Sequence, residues 1–185
     1  MEISDVPSSQ TIEPFLAYFE SIRGRTLRVA AAVPPDRIEW RYKDGAFSFG
    51  DLLRHLGAIE RYMFAENARG RPSAYPGHGP ELAEGYDAVL AYLARMHAES
   101  VALLRELTPE ALGALCTTPG GAQIAVWKWL RAMVEHEVHH RGQIYLMLGI
   151  LGVKTPPLYG LTEEEVKARS VPLDKARTGE GARPT

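Results

Sequence analysis

Six histidines occur in the 185 residues, and three fall within five positions, His136-Glu137-Val138-His139-His140. Neutral imidazole nitrogen is a ligand for zinc, nickel, copper or iron. Helical geometry sorts the three. Each residue turns about 100°, so His140 lies about 40° from His136, among Trp129, Met133, Ile144 and Met147. His139 falls about 60° to the other side. The inward pair is therefore His136 and His140, spaced i, i+4, which sets two imidazoles side by side on one face. A second helix gives the same reading, because Leu52 and Ile59 lie within about 60° of His55 and place it on an apolar stripe. Three inward histidines from two helices suit one divalent metal. Three protein ligands leave a coordination position open, the pattern of catalytic zinc sites. An ion there lowers the pKa of a coordinated water or thiol toward neutrality.

The remaining reactive side chains read as bland. The same run spells H-E-x-x-H, the zinc-peptidase signature with Glu137 as base. Its extended form fails, since Gln143 and Leu146 stand where a glycine and a third histidine belong. His78, in a Gly/Pro loop, and His97 read as surface residues. His139 reads as an outer-sphere or surface group. Arg141, about 100° from the stripe centre, either flanks the site or is a surface cation paired with Glu137. Gln143 lies close to the stripe and can hydrogen-bond a ligand. Tyr62 and Trp129 read as core, Glu66 as a solvated helix-end acid. Cys116 is a single cysteine of the kind that is usually buried and inert.

These residues need helices to hold them, and the apolar pattern repeats at three and four. A first helix is predicted over Ile12 to Val33, with Pro14 in its first turn and Pro34-Pro35 after it. A second runs from Ser48, an N-cap with Asp51 three residues later, to Ala68. A third spans Gly85 to Leu107, and Thr108-Pro109-Glu110 caps a short extra helix. Thr117 to Ala125 carries Pro119-Gly120-Gly121, a turn able to join two short strands. The fourth long helix covers Val126 to Leu151 and ends at Gly152. Thr162 to Glu165 caps a short helix over Glu163 to Ser170. The expected fold is all-α, a four-helix bundle in a single domain over residues 1–173, with a disordered tail at 174–185.

Composition narrows the function. Twenty-one Lys and Arg against 23 Asp and Glu give a net charge of −2. That balance argues against a nucleic-acid binder. One cysteine permits no intramolecular disulfide, and no secretory signal opens the chain. The longest apolar stretch, Ile144 to Val153, is about ten residues and too short for a bilayer. The expected location is cytoplasmic, with no membrane partner. The face of the fourth helix opposite the histidines carries Trp127, Val134, Val138 and Tyr145, which either meet a second copy in a homodimer, the favoured reading, or lie under the first helix and the C-terminal segment.

Taken together, Leu53-Arg54-His55-Leu56 and His136-x-x-x-His140-Arg141-Gly142-Gln143-Ile144 resemble the DinB-like superfamily. Leu148 to Lys154 followed by Pro156-Pro157 continues the likeness, which covers residues 12 to 160. The resemblance implies a bundle with a three-histidine site for a divalent metal, usually zinc or nickel, at His55, His136 and His140, and frequent homodimers. Characterised members of that family include transferases that use bacillithiol, mycothiol or glutathione, and a thiol-dependent maleylpyruvate isomerase. The expectation is a metal-dependent enzyme, a transferase activating a low-molecular-weight thiol against a small-molecule electrophile. The alternatives are a metal-dependent hydrolase and a non-catalytic metal-binding protein of stress response or interaction.

Overall fold

The computed structural model describes residues 11–171. The expected tail at 174–185 lies outside them. The described residues fall into two compact units, one ending at Thr155 and the other beginning at Pro156. The first carries the candidate site.

The helices start where local chemistry starts them. Helix α1, Glu13–Ala30, has a proline in its first turn and buries Leu16, Phe19, Ile22, Thr26 and Val29 along one stripe. Helix α2, Phe49–Ile59, opens on a capping box: the Asp51 amide donates to Ser48 Oγ and the Ser48 amide donates to Asp51 Oδ2. A π-helical turn, Glu60–Ala65, and a short α3, Glu66–Ala68, continue it. The expected helix from Ser48 to Ala68 therefore exists, with one wider turn inside it. Helix α4, Tyr86–Arg105, follows Gly85, whose φ of 83° favours glycine. Thr108 caps the short α5, Pro109–Gly113. Strands β1, Leu115–Thr117, and β2, Gln123–Ala125, pair antiparallel with Cys116 opposite Ile124. Helix α6, Val126–Ile150, is the longest element described.

Helix α2 packs along α4 and α1 along α6, while α2–α6 and α1–α4 contacts close the ring. This is the expected all-α bundle with its small hairpin. The main core joins Leu16, Phe19, Phe64, Leu104, Leu130 and Met133 from all four sides. Fully burying each such side chain contributes roughly 1.5–3 kcal/mol. Cys116 is buried on β1, where burial pushes its thiol pKa up. In the second unit, helix α7, Glu163–Arg169, starts on a Thr162–Glu165 capping box, as the sequence predicts. Among the described residues no helix is long and apolar enough to cross a membrane.

Candidate metal centre

Helices α2 and α6 bring His55, His136 and His140 together. One ligand atom from each lies within 4.8 Å of the others. His55 Nε2 and His136 Nε2 are 3.1 Å apart, and the His140 ring sits 4.7 Å from His55 and 4.5 Å from His136, centroid to centroid. The three converge as their helical faces predict.

Hydrogen bonds hold the outer nitrogens of two rings. His55 Nδ1 meets the Tyr75 hydroxyl at 2.8 Å, and His140 Nδ1 meets Gln143 Oε1 at 2.8 Å. The Gln143 amide is itself oriented, since its Nε2 donates to His139 Nε2 at 3.1 Å. An amide oxygen only accepts, so His140 carries its proton on Nδ1 and leaves Nε2 bare. His139 is thus an outer group, one step behind His140.

Burial, with the adjacent imidazoles, lowers the pKa of His55 to about 4 and of His136 to about 3. Burial lowers His140 too, against its bond to Gln143. All three are neutral at pH 7, the form that binds metal. Nitrogen ligands about 2.0–2.1 Å from a tetrahedral zinc stand about 3.3 Å apart, close to the 3.1 Å between His55 Nε2 and His136 Nε2. The donor set fits a divalent transition metal.

A cleft of about 580 Å³ opens beside His140 and Gln143. Phe47, Leu52, Leu146, Met147 and Ile150 give it apolar walls, and Tyr42 and Lys43 line it as polar groups. That size and lining suit a small molecule.

The sequence of residues 18–144 matches the DinB superfamily. This chain belongs to it. The uncharacterized protein YjoA of Bacillus subtilis (strain 168) is 26% identical over 155 residues, covering 82% of this chain and 96% of YjoA. Two solved DinB-like structures share the fold at a TM-score of 0.64 each. One, from Bacillus cereus ATCC 10987, is 18% identical and covers 80% of this chain and 97% of its own. The other is YjoA, 19% identical in the structural match, covering 77% and 96%.

In this DinB protein the residues beside the histidines in sequence turn elsewhere. Glu137 is buried against α1, where Thr26 Oγ1 donates to it at 2.7 Å and Arg23 pairs with it at 2.8 Å. It faces away from the imidazoles, so the peptidase reading has no base. Arg23 also pairs with Glu60 from the π turn, and His97 Nδ1 meets Glu60 at 2.8 Å. His97 is buried at 9% exposure, contrary to its reading as a surface residue. Burial opposes its charge, but the hydrogen bond and charge of Glu60 raise its pKa. Burial likewise pushes the Glu137 carboxyl up, against the pull of Arg23. Arg141 is neither a surface cation nor a site residue. It is 2% exposed and donates to the Ile22 carbonyl of α1 at 3.2 Å. Glu66 is no solvated acid either, being paired with Arg61 and Arg71.

Two contributors were missed. Tyr75 reaches His55 from the loop before α4, and burial pushes its phenol pKa up to about 12, so it stays protonated. His78, read as surface, is half-buried with its ring 4.3 Å from Phe47. No periodicity marks a loop residue, and the aromatic–histidine spacing Tyr75-x-x-His78 was the one available signal.

Proposed function

We propose that this chain is a divalent-metal-dependent enzyme of the thiol-transferase type. His55, His136 and His140 would hold the ion, zinc or nickel. The observation that carries the reading is three neutral imidazoles converging, with one of them, His140, on the wall of an apolar cleft of about 580 Å³. When bound, the ion would supply Lewis acidity, lowering the pKa of a coordinated low-molecular-weight thiol or water toward neutrality. The chain's own residues do the rest. Gln143 holds the outer nitrogen of the His140 ring, and Phe47, Leu146 and Met147 offer apolar contact to an electrophilic small molecule. A three-ligand set favours an open site over a structural clip, which would close with a fourth protein ligand. Val138, 40% exposed on α6, supports a second copy on that face, while Val134 is already buried in the core with α1 residues. Light scattering should give a dimer mass rather than 20.5 kDa.

The test is metal content by mass spectrometry on tag-free protein, beside His55→Ala, His136→Ala and His139→Ala. About one transition-metal ion per chain is expected in the native protein and in His139→Ala, and none in the two ligand variants. Thiols are then screened against electrophiles with the loaded protein. Turnover that needs the thiol supports transfer, turnover with water alone supports the hydrolase, and bound metal without turnover supports the non-catalytic role.

A further inference from the structure

The loop before α4 reaches the metal centre through two side chains. The Tyr75 hydroxyl lies 2.8 Å from His55 Nδ1 and 3.1 Å from His78 Nδ1. A phenol has one proton to give, so between two imidazoles it donates to one ring and accepts from the other. The chain His55–Tyr75–His78 therefore has two proton orders. If His55 presents Nε2 to an ion, its proton sits on Nδ1 and is donated to Tyr75. Tyr75 then donates to His78 Nδ1, and His78 keeps its proton on Nε2.

The loop is fixed from behind. Arg54, the residue before His55, has a fully buried guanidinium. Its Nε donates to the His78 carbonyl at 2.8 Å and its Nη1 to the Ala83 carbonyl at 2.9 Å. Glu39 and Asp51 neutralise it at 2.7 and 2.8 Å. So one turn of α2 carries both the ligand and the group that docks the loop which orients that ligand.

We propose that Tyr75 and His78 are positioning residues for His55: they fix its tautomer and ring angle so that Nε2 faces the ion. The inference rests on His55 being a metal ligand. It pairs this ligand with the same kind of outer chain that Gln143 and His139 give His140. Outer partners of metal-bound histidines commonly control affinity.

The experiment is zinc affinity by competition with a chromophoric chelator, in native protein, Tyr75→Phe, His78→Leu and His78→Asn. Tyr75→Phe keeps the ring and removes only the hydroxyl. It and His78→Leu should bind zinc about 10–100-fold more weakly. His78→Asn should recover most of the loss, because its amide oxygen replaces the Nδ1 acceptor, a rescue that simple packing would not give. Nitrogen-15 spectra of the imidazoles should show His78 protonated on Nε2 once zinc is added, and no such response in Tyr75→Phe. Native-like affinity in both Tyr75→Phe and His78→Leu, with His55→Ala inactive in binding, overturns the proposal and leaves the metal site standing. Failure of the native protein to bind zinc or nickel overturns both. Should Tyr75→Phe misfold by circular dichroism, the two His78 variants decide.

Discussion

Helix α6 serves two clusters from adjacent residues, and they are built on opposite plans. His136 faces α2 and joins two other imidazoles that burial keeps neutral. Glu137 faces α1 and joins Arg23, Thr26, Glu60 and His97, where charges meet opposite charges. The first cluster borders a cleft and turns its ring nitrogens toward one another, with His55 Nε2 and His136 Nε2 3.1 Å apart and one hydrogen between them. The second is sealed, and its central cation is 2% exposed. A ligand site has to keep unused donors. A structural cluster pairs its charges instead, although Arg23 Nε and Nη1 and His97 Nε2 have no hydrogen-bond partner among the described residues, and Glu20 lies 3.2 Å from that His97 nitrogen.

The contrast breaks most visibly at Arg23. Arg23→Ala should cost about 3–5 kcal/mol in urea unfolding, because two carboxylates stay buried without their cation. His136→Ala in the metal-free chain should cost far less while removing metal binding. Comparable losses would dissolve the distinction between the clusters. A smaller effect sharpens it: Gln143→Leu should weaken zinc binding about tenfold, or about 1.4 kcal/mol, with little change in stability. Chelator competition beside a melting curve separates the two quantities.

The smallest effect is one of sign. His55 and His136 are held below the unfolded value near 6.5, so acid protonates them in the unfolded chain first. Metal-free protein should lose about 1 kcal/mol per ring by pH 5.5, allowing for the solvent screening of these part-exposed groups. His97 is held above its ordinary value, so its stabilisation is full below about pH 6.5 and fades as pH rises through the raised pKa. Urea midpoints at pH 5.5 and 8 should therefore fall more at 5.5 in His97→Gln, and less at 5.5 in His136→Ala.

The sequence made the first cluster legible and hid the second. His55, His136 and His140 sit on apolar stripes of regular helices, so a rotation of about 100° per residue located them. Capping boxes at Ser48 and Thr162 marked helix starts for the same local reason. Glu60, Arg23 and Glu137 defeat the rule that charge faces water, because three elements distant in sequence neutralise one another. His97 was misread for that reason: its partner Glu60 comes from another element. Glu66 was misread likewise, because its partners Arg61 and Arg71 come from the π turn and from the loop after α3. The Tyr75 loop carries no period, and its position comes from Arg54, whose burial no local pattern announces.

The π turn at Glu60–Ala65 also makes this helix a measured spacer. One residue inserted ahead of Phe64, beyond the one the wide turn already absorbs, would swing Phe64 by about 100° away from Trp129 and His136, which its ring meets at 4.5 and 5.7 Å. Between Ile59 and Glu66 the chain should accept substitutions far more readily than single insertions. Added length across that interval belongs to the few alterations that would uncouple the histidine cluster from the bundle's core while leaving all three histidines in the sequence.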